Sequence, residues 1–134
     1  MSRIRHIAIA VSDPEAARKF YTEGLGLEVV GSLDSTTAVG YYLSDGHVNI
    51  ALLKWKSEDP AMTEGVARWT GIHHFGLGVE DMATARANIE AAGAVHRPYP
   101  GTDEMEARGN VEIKYSGPDG VTIDLSEDGW AGTQ

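Results

Sequence analysis

Gly71-Ile72-His73-His74-Phe75-Gly76-Leu77-Gly78-Val79-Glu80-Asp81 is the second copy of a pattern that opens the chain. The first copy is Arg5-His6-Ile7-Ala8-Ile9-Ala10-Val11-Ser12-Asp13. His6 and His74 are 68 positions apart (74 − 6), and so are Asp13 and Asp81 (81 − 13). In both copies apolar and small residues alternate strictly, which predicts a strand with two unlike faces. One face carries Ile7, Ile9 and Val11, matched by Phe75, Leu77 and Val79, and is suited to packing against a helix. The other carries His6, Ala8 and Ala10, matched by His74, Gly76 and Gly78. Two such strands are expected to line a hollow with a His at each rim. His73 falls on the apolar face with Phe75 and Leu77 and is read as a structural histidine.

Working outward, each copy is followed by a helix start. Asp13-Pro14-Glu15 offers a cap, a first-turn Pro and an acid at the positive end of the dipole, and Asp81 caps the second helix. Ala17, Phe20 and Tyr21 recur at helical spacing in the first helix, as Met82, Ala85 and Ile89 do in the second. Further strands are expected at Leu27 to Val30, Thr37 to Leu43 and His47 to Leu53. In the last of these, His47, Asn49 and Ala51 share one face. In the second half, strands are expected at Val111 to Tyr115 and Val121 to Ser126, joined by the Gly117-Pro118-Asp119-Gly120 turn. Thr122, Asp124 and Ser126 share the polar face of the final strand. Glu112 and Lys114 are within reach of the cavity, but a solvated face is the preferred reading. The long stretch His96 to Asn110 is a candidate for a short strand and, in part, for a mobile lid, and Val66 to Trp69 for a short helical turn. Trp55 and Trp69 are assigned to packing at a core edge, and Trp130 sits in a tail able to fold back. The organisation is therefore a βαβββ module at 1–53, a connector at 54–70, a second module at 71–127 and a tail at 128–134.

The 134 residues suffice for one compact unit with a stable core. With no Cys, disulfides and thiolate ligands are excluded. The formal net charge of −9, without a basic cluster, argues against a nucleic-acid partner. No apolar run is long enough to span a membrane. Met1 to His6 runs straight into a strand, so the expectation is a cytoplasmic protein without a leader.

Two strand-helix-strand-strand-strand units, each opening on a His, resemble the vicinal oxygen chelate superfamily, the glyoxalase, bleomycin-resistance and extradiol dioxygenase group. The stretches HIAIAVSDPEAARKFY, HVNIALL, HHFGLGVEDMATA and GPDGVTIDLSE carry the resemblance. It implies an α+β fold in which two βαβββ modules form a U-shaped mixed sheet around a central cavity holding a divalent metal. It implies His6 and His74 as metal ligands, with Asp124 in place of the usual Glu in the last strand. The matching position of the first half is Ala51, so three of four ligand positions are kept.

Two imidazoles and a carboxylate suit Fe(II), Mn, Ni or Zn and leave coordination positions open. By resemblance, a set of two His and one carboxylate is the dioxygenase arrangement, whereas glyoxalases and epimerases use a fourth ligand as base. Dioxygenases of the group also carry a His shortly before the last strand, and the segment 110–115 has none. Tyr115, ahead of the Pro118-Asp119-Gly120 turn, matches their signature with the spacing off by one and is a catalytic candidate. Asn49, one same-face position from Ala51, is the other, as a displaced ligand or base. Two function classes follow. One is a metal-dependent enzyme acting on a small molecule with vicinal oxygens, by dioxygenase-like or glyoxalase/epimerase-like chemistry. The other is a metal-free small-molecule-binding protein of the bleomycin-resistance type. Open sheet edges and the resemblance lead to the expectation of a homodimer.

Overall fold

The computed structural model describes residues 2–57, 70–98 and 112–133. The first half comprises β1 (Arg3–Ala10), α1 (Pro14–Lys19), β2 (Glu28–Asp34), β3 (Ala38–Ser44) and β4 (Asn49–Trp55). The second comprises β5 (Gly71–Gly78), α2 (Met82–Ala91), β6 (Val95–His96), β7 (Ile113–Ser116) and β8 (Thr122–Ser126). All eight strands join one mixed sheet in the order β2-β3-β4-β1-β5-β8-β7-β6. The sheet is open, with β2 and β6 outermost, and the α+β architecture of two βαβββ units is the one the sequence led us to expect. Each half places its first strand parallel to its last, β1 with β4 and β5 with β8. The halves meet where β1 and β5 pair antiparallel.

Local chemistry accounts for the elements. The Asp13 side chain accepts from Ala16 N at 3.1 Å and Asp81 from Thr84 N at 2.9 Å, so both expected caps form. The first helix differs from the expected stripe. A π-helical turn, Phe20–Gly24, replaces its last α turn, the 3.6-residue phase is lost, and Phe20 is 62% exposed. Met82, Ala85 and Ile89 of α2 pack as expected, on Val79, Ile113, Tyr115 and Leu125. A second apolar cluster gathers Ala8, Ala10, Ala38, Ala51, Leu53 and Trp55, which puts Trp55 in packing. Strand β2 runs four residues beyond the expected end at Val30, because it pairs with β3 out to Asp34 and Val39. Strand β4 starts two residues later than expected: His47 and Val48 are held by the Asp45 carboxylate in the preceding turn. Within 118–120, Asp119 as well as Gly120 takes a positive φ, 61° and 79°. The helical turn expected at Val66 to Trp69 and the lid expected beyond Pro98 lie outside the described residues. Among the described residues, no helix is long and apolar enough to cross a membrane.

Candidate metal centre

The pairing across three strands determines the site. His6 on β1 lies opposite Gly76 on β5, and Gly76 lies opposite Asp124 on β8. His74 stands two residues before Gly76 on the same face. Three donor side chains therefore surround a position that has no side chain of its own. His6 and His74 ring centroids are 5.4 Å apart. Asp124 Oδ2 is 3.1 Å from His74 Nε2 and 3.9 Å from His6 Nε2. One ligand atom from each of the three residues lies within 4.8 Å of the others. All three side chains are buried, so the expected rim histidines are in fact interior.

Contacts behind the triad orient it. Asn49 Nδ2 donates to Ala131 O at 2.9 Å, which turns Asn49 Oδ1 toward His6 Nδ1 at 2.8 Å. The His6 proton then sits on Nδ1 and the Nε2 lone pair faces Asp124. His74 Nδ1 meets His73 Nδ1 at 2.9 Å, which likewise leaves Nε2 for the triad. His73 does not share a face with Phe75 and Leu77. The register shifts between Ala8↔His74 and Ile9↔Ile72, and this bulge brings His73 beside His74 and Trp55. Burial lowers the His6 pKa from 6.5 to about 4, against the opposing pull of Asp124, so His6 is neutral and a competent ligand at pH 7. Burial alone would raise Asp124, but Lys114 and then His74 reverse it and hold its carboxyl well below the usual range.

Lys114, for which a solvated face was the preferred reading, is part of the site. It is 2% exposed, and its Nζ lies 2.7 Å from Asp124 Oδ1 and 3.7 Å from Glu112 Oε2. The solvated-face reading of Lys114 is thus overturned: Lys114 and Asp124 are direct cross-strand partners of β7 and β8. Trp130 is a further component. Its indole stacks on His6 with centroids 4.8 Å apart and planes 4° from parallel, and its Nε1 donates to Glu112 Oε1 at 2.6 Å.

The remaining candidates are placed as follows. Ala51 pairs with Ala8, as Asp124 pairs with Gly76. Ala8 and Gly76 are related by the same 68-residue offset (76 − 8), so Ala51 occupies the place equivalent to Asp124. Asn49 pairs with His6 and contacts its imidazole rather than filling the place of Ala51. Tyr115 is not brought to the triad. It alternates with Lys114 onto the other face, where its hydroxyl donates to Glu90 and accepts from Arg86 Nε at 2.9 Å, both on α2.

A divalent cation fits this donor set: two neutral-capable imidazoles and Oδ2, a buried oxygen with no hydrogen bond of good geometry. Residues 3–125 match the family model described as the Glyoxalase/Bleomycin resistance protein/Dioxygenase superfamily. The chain belongs to this superfamily. Within the glyoxalase superfamily it is 33% identical over 98 residues to an ethylmalonyl-CoA/methylmalonyl-CoA epimerase of Cereibacter sphaeroides, covering 70% of this chain and 73% of the epimerase. It is 28% identical over 136 residues to a probable chloroplastic lactoylglutathione lyase of Arabidopsis thaliana, covering 95% of this chain but only 36% of that protein. Among solved structures, a methylmalonyl-CoA epimerase in complex with methylmalonyl-CoA and NH4+ matches with a TM-score of 0.68, 26% identity and 94% of each chain covered. A hypothetical protein from Bacillus halodurans matches with a TM-score of 0.69, 25% identity and 93% of each chain covered.

Proposed function

We propose that this protein is a divalent-metal-dependent enzyme that moves a proton on a small molecule with adjacent oxygens, in the manner of glyoxalases and epimerases. The observation that carries the reading is the buried convergence of His6, His74 and Asp124 around Gly76. The epimerase and lyase relatives favour proton transfer over dioxygen chemistry. A bound Fe(II), Mn, Ni or Zn ion would supply Lewis acidity to the substrate oxygens. His6 and His74 would hold it through Nε2 and Asp124 through Oδ2. Lys114 keeps Oδ1 occupied, which makes Asp124 a one-oxygen ligand, and places a positive charge beside a substrate that grows more negative as its proton leaves. Asn49 positions His6. Ala51 offers no ligand atom, which leaves room for substrate oxygens. Glu112, tied to Trp130 and within 3.7 Å of Lys114, is the carboxylate we assign to receive the proton.

One observation favours a second reading, a metal-free binding protein of the bleomycin-resistance type. Lys114 already supplies Asp124 with a cation. Metal analysis after loading and dialysis separates the two. The enzyme reading expects about one ion per chain, and deuterium uptake from D2O into a 2-substituted CoA thioester or a 2-hydroxy ketone. No retained metal with Mn, Ni, Zn or Fe(II) would leave the binding-protein reading standing. A cytoplasmic homodimer remains part of the proposal. Val29 on β2 and Val95 on β6 expose apolar surface on the outermost strands, and light scattering of a monomer alone would count against pairing.

A further inference from the structure

We infer that the C-terminal tail is a working part of the metal centre, with Trp130 a positioning residue for His6; this rests on the metal reading above. The tail reaches His6 by two routes. The Trp130 indole lies flush on the imidazole face. The Ala131 carbonyl accepts from Asn49 Nδ2, and so fixes which end of that amide meets His6 Nδ1. One route sets the ring plane and the other sets the tautomer, and together they aim the Nε2 lone pair at Asp124.

The tail is seated by fit. A Cβ on Gly76 would come within 2.7 Å of the Trp130 ring and 3.1 Å of His6 Cβ, so the small residue on β5 is what admits the indole beside His6. A Cβ on Gly132 would lie 2.6 Å from Ser44 Cβ, and Gly132 has φ 79°, so Gly is required on both counts where the tail crosses β3. Ser44 Oγ donates to Gly132 O at 2.8 Å, and Gly129 N donates to Ser126 Oγ at 3.0 Å. The Trp130 N–H is satisfied by Glu112, so the indole spans the site from β1 across β5 to the start of β7. A tail that only covered apolar surface would not need its carbonyl on the amide that sets the tautomer of a candidate ligand.

The test uses the full chain and four variants: Trp130→Ala, Trp130→Phe, Gly76→Ala and the Gly76→Ala/Trp130→Ala double. The first readout is the His6 imidazole in metal-free protein, by long-range 15N correlation spectra. Wild type should show a single Nδ1–H tautomer, with ring protons shifted upfield by the indole. Trp130→Ala and Gly76→Ala should both lose the upfield shift, and Trp130→Phe should keep most of it. Identical His6 signals in wild type and Trp130→Ala would overturn the inference whatever the metal data show. The second readout is Zn(II) or Ni(II) affinity by calorimetry. Trp130→Ala should bind about tenfold more weakly, the scale of losing a contact behind a ligand. Trp130→Phe should lie nearer wild type. The double variant should bind close to Trp130→Ala, because Gly76→Ala acts chiefly by evicting the indole at 2.7 Å and presses less on His6 Cβ at 3.1 Å. Equal affinity in wild type and Trp130→Ala would also overturn the inference. If no version binds metal, the metal reading fails, while the His6 spectra still decide whether the tail positions the ring.

Discussion

Replacing Lys114 by Met should weaken the metal-free protein and tighten its grip on metal. Lys114 Nζ and Asp124 Oδ1 are 2.7 Å apart, with side-chain exposures of 2% and 0%. Removing one partner of such a pair leaves a buried charge uncompensated, at a cost of about 3–5 kcal/mol. At roughly 3–4 °C per kcal/mol for a domain of this size, the metal-free melting temperature should drop by about 10–20 °C. A divalent ion on Asp124 Oδ2 would restore a cation to that carboxylate. If it recovers about 2 kcal/mol of the loss, linkage requires metal affinity to rise about thirtyfold. Met keeps most of the buried chain length, so the change is one of charge more than of volume. The assays are thermal unfolding with and without saturating Zn(II), and calorimetric titration of the same two proteins. A Lys114→Met protein that folds and binds Zn(II) no more tightly than wild type would refute the argument. The same result would mean that Lys114 and the ion do not share Asp124.

Other outcomes follow from the same geometry. His74→Ala should lose stoichiometric metal, read by elemental analysis, because His6 and Asp124 alone are a poor chelate. Ala51→Glu should raise metal affinity by placing a carboxylate at the position equivalent to Asp124, and should preserve or raise activity if the reaction is proton transfer; lowered activity with tighter metal would favour a reaction needing both open positions. The metal-free protein should lose stability as pH falls from 6.5 toward 4, since the unfolded chain protonates His6 at its ordinary value of 6.5 while the folded one resists to about 4. That gap is worth about 3 kcal/mol at most, fully present above 6.5, and His6→Gln should flatten the urea-midpoint profile across this window.

Much of the fold was legible because it rests on local rules repeated 68 residues apart. Period-2 alternation located β1, β4, β5 and β8, and Asp-initiated helix starts located α1 and α2. His6, His74 and Asp124 were reachable from the repeat and the family pattern. His73 was misplaced because alternation assumes an unbroken ladder, and the bulge after Ala8↔His74 adds a residue and changes the phase. The turn at Gly117 to Gly120 did hold the information for Lys114. Counting outward from it pairs Ser116 with Thr122, Tyr115 with Ile123 and Lys114 with Asp124. A buried-face reading of Asp124 therefore implied one for Lys114. Trp130 left a fainter trace, in the absence of a side chain at Gly76, and only the fold shows which residue fills that space.

The duplicated halves share a backbone plan and divide the chemistry unequally. At equivalent places β4 carries Ala51 and β8 carries Asp124. Around Ala51 the same face carries the polar Asn49 on the side toward His6, and otherwise continues as Ala8, Ala10, Leu53 and Trp55, all buried and apolar. Around Asp124 it continues as His74, Lys114 and Thr122, all buried and polar. A carboxylate at position 51 would have to be desolvated among apolar neighbours without a Lys partner of its own, and a metal ion would be its natural source of compensation. Asp124 has Lys114 as one source and would have a bound ion as a second. Ala51→Glu thus also reports on whether a metal is present: with an ion at the triad the new carboxylate is paired and the protein keeps its stability, and without one it is a lone buried charge that should cost several kcal/mol or take up a proton. Comparing the melting temperature of Ala51→Glu with and without Zn(II) measures that difference directly. A metal-independent melting temperature equal to that of wild type would show that position 51 is open to water and does not face the triad.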